Sequence, residues 1–107
     1  MKEEFLKAID NKLKVEITFN AKQKGKGQIT RICIPFDFGH SQKIDTKDMS
    51  NKFHLFDLNS PDNPHTLSIK PEQVVRLVVL NESFNPGDYV KWYPTKWIYQ
   101  RDWNSYS

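Results

Sequence analysis

The sequence contains one cysteine, Cys33, so no disulfide can form within the chain, and this reads as a protein of a reducing compartment. Long apolar runs are missing. The longest, residues 74–80, is broken by Arg76 and falls far short of the roughly 20 residues that a membrane-spanning helix requires. Residues 1–12 mix acids and lysines with single apolar side chains and lack the apolar stretch of a secretory signal. The expectation is a cytoplasmic protein with no membrane partner. Glycine and proline are sparse, four and six residues, which excludes collagen-like and low-complexity chains. No internal repeat is visible.

What is present suits one globular domain spanning residues 1–107. Hydrophobic residues make up 37% and charged ones 27%, a balance typical of packed domains. A fold of this length has a radius of gyration of roughly 13 Å and buries roughly 65% of its unfolded surface, enough for one modest core.

Periodicity supplies the elements. Phe5, Leu6, Ile9 and Leu13 form a one-sided apolar stripe, which predicts an amphipathic helix over 3–13. Val15, Ile17 and Phe19 alternate with polar residues and predict a first strand. Residues 28–34 are rich in β-branched side chains and read as a second strand stopping at Pro35, which has no N–H to extend a ladder. A loop is expected over 35–50. Further strands are expected at 52–58, 65–69 and 74–80, separated by the turn-forming run 59–64 and a tight helical turn at 71–73. Asn85, Pro86 and Asp88 then have the order of a helix start, predicting a short helix to about Tyr93.

The fold class expected is α+β, mainly β. An N-terminal helix precedes a small five-stranded antiparallel SH3/Sm-like barrel over 3–80, since five short strands cannot cover both faces of an open sheet. An aromatic-rich C-terminal helix and wrapping tail complete it over 81–107.

The order of elements and several residues resemble the WYL domain, a small Sm-like or SH3-like barrel found mainly in bacterial transcriptional regulators. Pro35 matches the proline that closes the second strand of that family, and Phe53-His54-Leu55 falls where its Trp-Tyr-Leu triplet lies, retaining the leucine. The 74–80 strand matches the family's last strand, while 65–70 lacks its arginine and aromatic pair. The resemblance covers about residues 3–80. It implies a regulatory module that senses a ligand or touches nucleic acid, usually beside a helix-turn-helix domain. Only about 13 residues precede the first strand here, so the barrel alone is expected. Pro35-Phe-Asp-Phe-Gly39, Arg101-Asp-Trp103 and Tyr106-Ser107 also resemble a set of short uncharacterised bacterial proteins.

Charge and aromatic side chains are unevenly spread. The net charge of +3 sits within residues 1–26, where seven lysines face four acids. Lys22, Lys24 and Lys26 lie in a glycine-containing turn, read either as a solvated hairpin tip or as an anion-binding loop. Eight of the fourteen aromatics fall in residues 84–107. Either the tail wraps the barrel and buries its rings, or Trp97, Tyr99 and Trp103 beside Lys91, Lys96 and Arg101 form a stacking platform with cations for phosphate. Anchoring of a protein partner is a third use of such residues.

The remaining candidates are weaker in chemistry. His40, His54 and His65 with Cys33 and Asp57 match no zinc spacing, so no metal and no cofactor are expected. Cys33 reads as buried filler, and Arg101 with Asp102 as anchors of the tail. Asp37-Phe38-Gly39 spells the kinase magnesium triplet without the rest of that signature. No nucleophile and base can be paired from order alone. The functional expectation is a non-enzymatic small-barrel module binding nucleic acid or a small anionic ligand through Lys22, Lys24, Lys26, Lys96, Trp97, Tyr99, Arg101 and Trp103. The alternative is a protein interaction or homo-oligomerisation module with a purely structural tail.

Overall fold

A computed structural model describes residues 1–21, 25, 27–40 and 50–107. Helix α1 (Lys2–Asn11) buries Phe5, Ala8 and Ile9, the stripe read from the sequence. It ends two residues before the expected boundary. Lys12 turns into the left-handed region with φ 55° and ψ 49°, its N–H caps the carbonyls of Ala8 and Ile9, and Leu13 is thereby freed to begin β1.

Five antiparallel strands follow: β1 (Leu13–Asn20), β2 (Gln28–Gly39), β3 (Lys52–Asp57), β4 (His65–Ile69) and β5 (Val74–Ser83). Their order in the sheet is β4-β3-β2-β1-β5. The pairings end at β4 on one side and β5 on the other. The fold is therefore α+β, a helix packed on a five-stranded antiparallel sheet, with a radius of gyration of 13.5 Å.

The second strand corrects the expectation that it stops at Pro35. Pro35 sits opposite Leu55, a register shift separates it from Asp37, and pairing resumes at Asp37 opposite His54 and Phe38 opposite Phe53. A bulge at this point absorbs the missing proline N–H, so the ladder runs on to Gly39. Residues assigned to a loop thus become buried strand, and Phe36 and Asp37 are placed at the sheet's centre.

The β3–β4 turn is tied back to β2, because the Asn59 side chain accepts the Ile32 N–H at 2.9 Å and the Leu58 N–H reaches the Ile32 carbonyl. A single 3-10 turn, Pro71–Gln73, links β4 to β5, and Gln73 bonds to the Asn20 carbonyl at the end of β1. The inner face gathers Val15, Ile17, Cys33, Phe53 and Leu55 beneath α1, with Phe5 meeting Phe53 edge-on at 4.9 Å.

The expected C-terminal helix is shorter than read. Helix α2 spans only Pro86–Tyr89, capped by the Asn85 side chain on the Gly87 N–H. From Val90 the chain runs irregularly over the sheet to a final 3-10 turn, Asn104–Tyr106. Its rings replace the hydrogen-bonded regularity of a helix as the means of attachment.

Candidate functional site

The tail is held by the residue that the bulge turned inward. Asp37 Oδ1 accepts N–H groups from Phe38 (3.0 Å) and Tyr99 (2.9 Å), and Oδ2 accepts from Ile98 (2.8 Å). Arg101 Nη2 lies 3.2 Å from Oδ1. The guanidinium also donates to the carbonyls of Phe36 and Tyr99. Its carbon lies 4.1 Å from the Trp97 ring centre and 4.5 Å from that of Trp103. Burial pulls Arg101 down to about 10 against the opposing pull of Asp37, so it remains charged at neutral pH.

Held in this way, the tail closes one side of a cavity of about 470 Å³. Phe36, Asp37, His54 and Leu55 come from β2 and β3, Thr66, Leu67 and Ser68 from β4, and Trp92, Pro94, Lys96 and Trp97 from the tail, with His40 at the end of β2. The volume is that of an ordinary small-molecule site. Its walls are mainly rings and aliphatic groups. Among the described residues four groups donate to the Asp37 carboxylate, which leaves the cationic and hydroxyl-bearing residues to set the cavity's polar character.

On the β3–β4 face, His54 stands opposite Ser68. Ser68 Oγ is 2.8 Å from Nδ1, and Nε2 is 2.8 Å from the Gly39 carbonyl oxygen. Gly39 suits that place for a steric reason: its φ is +154°, and an added Cβ would lie 2.6 Å from Ile98 Cδ1.

The structure separates the residues that the sequence grouped together. Lys96 and Trp97 line the cavity. Arg101 and Trp103 are interior, at 9% and 1% exposure, and the Trp103 indole N–H donates to the Ile9 carbonyl under α1. Their ring and guanidinium faces meet each other and not a solvent-borne base. Tyr99 lies outside the cavity with its hydroxyl donating to Asp10 at 2.7 Å, a bond that raises the phenol above its ordinary value. Lys22, Lys24 and Lys26 lie outside the described residues. Among the described residues no group of three His, Cys, Asp or Glu side chains is gathered to hold a metal ion.

Sequence reasoning missed Trp92, Thr66 and Ser68 as lining residues and weighed His54 only within the WYL-like triplet and as a metal ligand without a matching spacing. The signal for the last pair was present: once 57 and 65 close the 59–64 turn, antiparallel register alone sets 54 opposite 68. No protein-family model, curated protein or solved structure matches this chain.

Proposed function

We propose that this chain is a WYL-like small-barrel binding module that takes a small anionic ligand bearing a planar ring into the cavity between β3–β4 and the tail. The observation that carries this reading is the pairing of Trp92 and Trp97 with Lys96 around about 470 Å³ of space. A ring stacks on indole, and an ammonium group attracts the ligand's charge. Barrel closure belongs to the same reading: β4 and β5, the two ends of the sheet, are joined by only the 71–73 turn. So short a link between the two end strands supports a sheet that curls towards closure.

The test is a tryptophan-fluorescence titration with a nucleoside monophosphate, an aromatic carboxylate and a short single-stranded oligonucleotide. Saturable quenching by a small anion, weakening as salt rises and lost in Lys96→Ala, supports the reading. An oligonucleotide that binds far more tightly than the monophosphate moves the assignment to a nucleic-acid strand. Absence of quenching by all three at low salt overturns it.

A second reading, self-association along β5, is favoured by Val75, which is 43% exposed on that terminal strand. Light scattering separates the two, since the ligand reading requires only a monomer.

A further inference from the structure

Ser68, His54 and the Gly39 carbonyl form a connected array whose proton positions follow from chemistry. A carbonyl oxygen only accepts, so in the neutral ring Nε2 carries the proton and donates to Gly39, 2.8 Å away. Nδ1 then offers its lone pair to Ser68 Oγ, also 2.8 Å away, and the serine hydroxyl is the donor. A hydroxyl in reach of a base, with the base fixed in tautomer by a third group, is the arrangement of an activated nucleophile. The two ring nitrogens exchange the roles they have in the serine protease triad, and a carbonyl replaces the carboxylate.

Position agrees with that chemistry. Ser68 is solvent-exposed on β4, and both Ser68 and His54 line the cavity. The orienting carbonyl is held in place, because Gly39 packs against Ile98 too closely to admit a side chain. Among the described residues, Cys33, Asp57 and His65 are engaged elsewhere. Cys33 is buried, with desolvation pushing its thiol up and away from the thiolate. Asp57 is locked to Arg31 at 3.2 Å and to the Asn59 N–H at 3.0 Å, and His65 bonds to the Asn63 carbonyl.

We infer that Ser68 is a nucleophile towards activated esters, and that the cavity is an acyl-transfer site for small aryl esters. Ser68 Oγ bonds to the ester carbonyl carbon while its proton passes to His54 Nδ1. The resulting oxyanion faces a cavity whose side-chain donors include Thr66 and Lys96. Collapse breaks the bond to the leaving aryl oxygen, which takes the proton from Nδ1 and departs as the phenol. Water then adds to the acylated Ser68, gives its proton to Nδ1, and releases the carboxylic acid as Ser68 recovers its own. The net change is ester and water to acid and phenol. The imidazolium formed in both steps is stabilised by a carbonyl dipole in place of a full negative charge, so both are slow; the aryl-oxide leaving group speeds acylation alone, and the acyl form accumulates. Leu55, Leu67 and the indole rings favour an apolar acyl or aryl group. This chemistry goes beyond the ligand reading and does not depend on it.

The experiment uses the full chain and p-nitrophenyl acetate, following p-nitrophenolate release and mapping the acetyl group by peptide mass spectrometry. The expected result is a burst approaching one equivalent per chain, with the acetyl group on Ser68. Ser68→Ala removes the burst, and His54→Gln slows acylation about a hundredfold. Both variants keep the wild-type circular dichroism spectrum, and the anionic-probe titration is read on the wild-type chain alone, so failure of one reading leaves the other standing. Acetylation confined to lysines, or equal rates in wild type and Ser68→Ala, overturns the inference and leaves a cross-strand sheet contact.

Discussion

Asp37 and Arg101, 64 residues apart in sequence, form a buried ion pair at 3.2 Å that fastens the tail to the sheet. The carboxylate also accepts the Ile98 and Tyr99 N–H groups, so the pair organises a stretch of backbone with no helix or strand of its own. Asp37→Ala leaves a buried guanidinium without its counter-charge and three amides, those of Phe38, Ile98 and Tyr99, without this acceptor. The expected loss is about 3–5 kcal/mol in urea unfolding. A loss under about 1 kcal/mol contradicts the clasp.

Gly39 and Ile98 define a second, steric attachment. Gly39→Ala is expected to destabilise by about 1–3 kcal/mol, combining backbone strain at φ +154° with the collision at Ile98. Pairing it with Ile98→Ala restores part of that loss, so a double-mutant cycle reads a favourable coupling. Strictly additive effects contradict direct contact.

The indoles differ in what they do. Trp103 is 1% exposed and donates to Ile9, so Trp103→Ala costs about 3–5 kcal/mol. Trp92 is 45% exposed at the mouth of the cavity, and Trp92→Ala costs about 1 kcal/mol while weakening ring-bearing ligands about tenfold. Thermal melts and the fluorescence titration, run on both variants, check the division.

Cys33 supplies a pH dependence. Burial and the neighbouring Asp57 raise its folded thiol above the unfolded value of about 8.5. Above that pH the unfolded chain releases a proton that the folded chain keeps, so this contribution to stability is complete below about 8.5 and falls as pH rises further. Cys33→Ala is expected to flatten the decline, measured as the wild-type minus variant difference in unfolding free energy from pH 8 to pH 10. The buried thiol is expected to resist Ellman's reagent in the native protein and to react on unfolding.

Much of this arrangement was legible in the sequence, and the reasons for the gaps are physical. The period-two pattern of Val15, Ile17 and Phe19 and the stripe of Phe5 and Ile9 report burial on one face, so α1 and β1 are read directly. Pro35 misled because a missing N–H marks the end of a ladder or a bulge equally well, and only the partner strand distinguishes them. The aromatic tail was visible as composition, but Trp92 and Trp103 are the same residue type in opposite surroundings. The facing of His54 and Ser68 arises from pairing between strands, information that lies in register and not in spacing along the chain.

The bond from the Trp103 indole to the Ile9 carbonyl also dictates when the molecule can be finished. A nascent polypeptide that has emerged only through β5 lacks the indole that seals the space under its first helix. A chain cut back to residue 102 is therefore expected to keep its strands yet leave the apolar underside of that helix open to water.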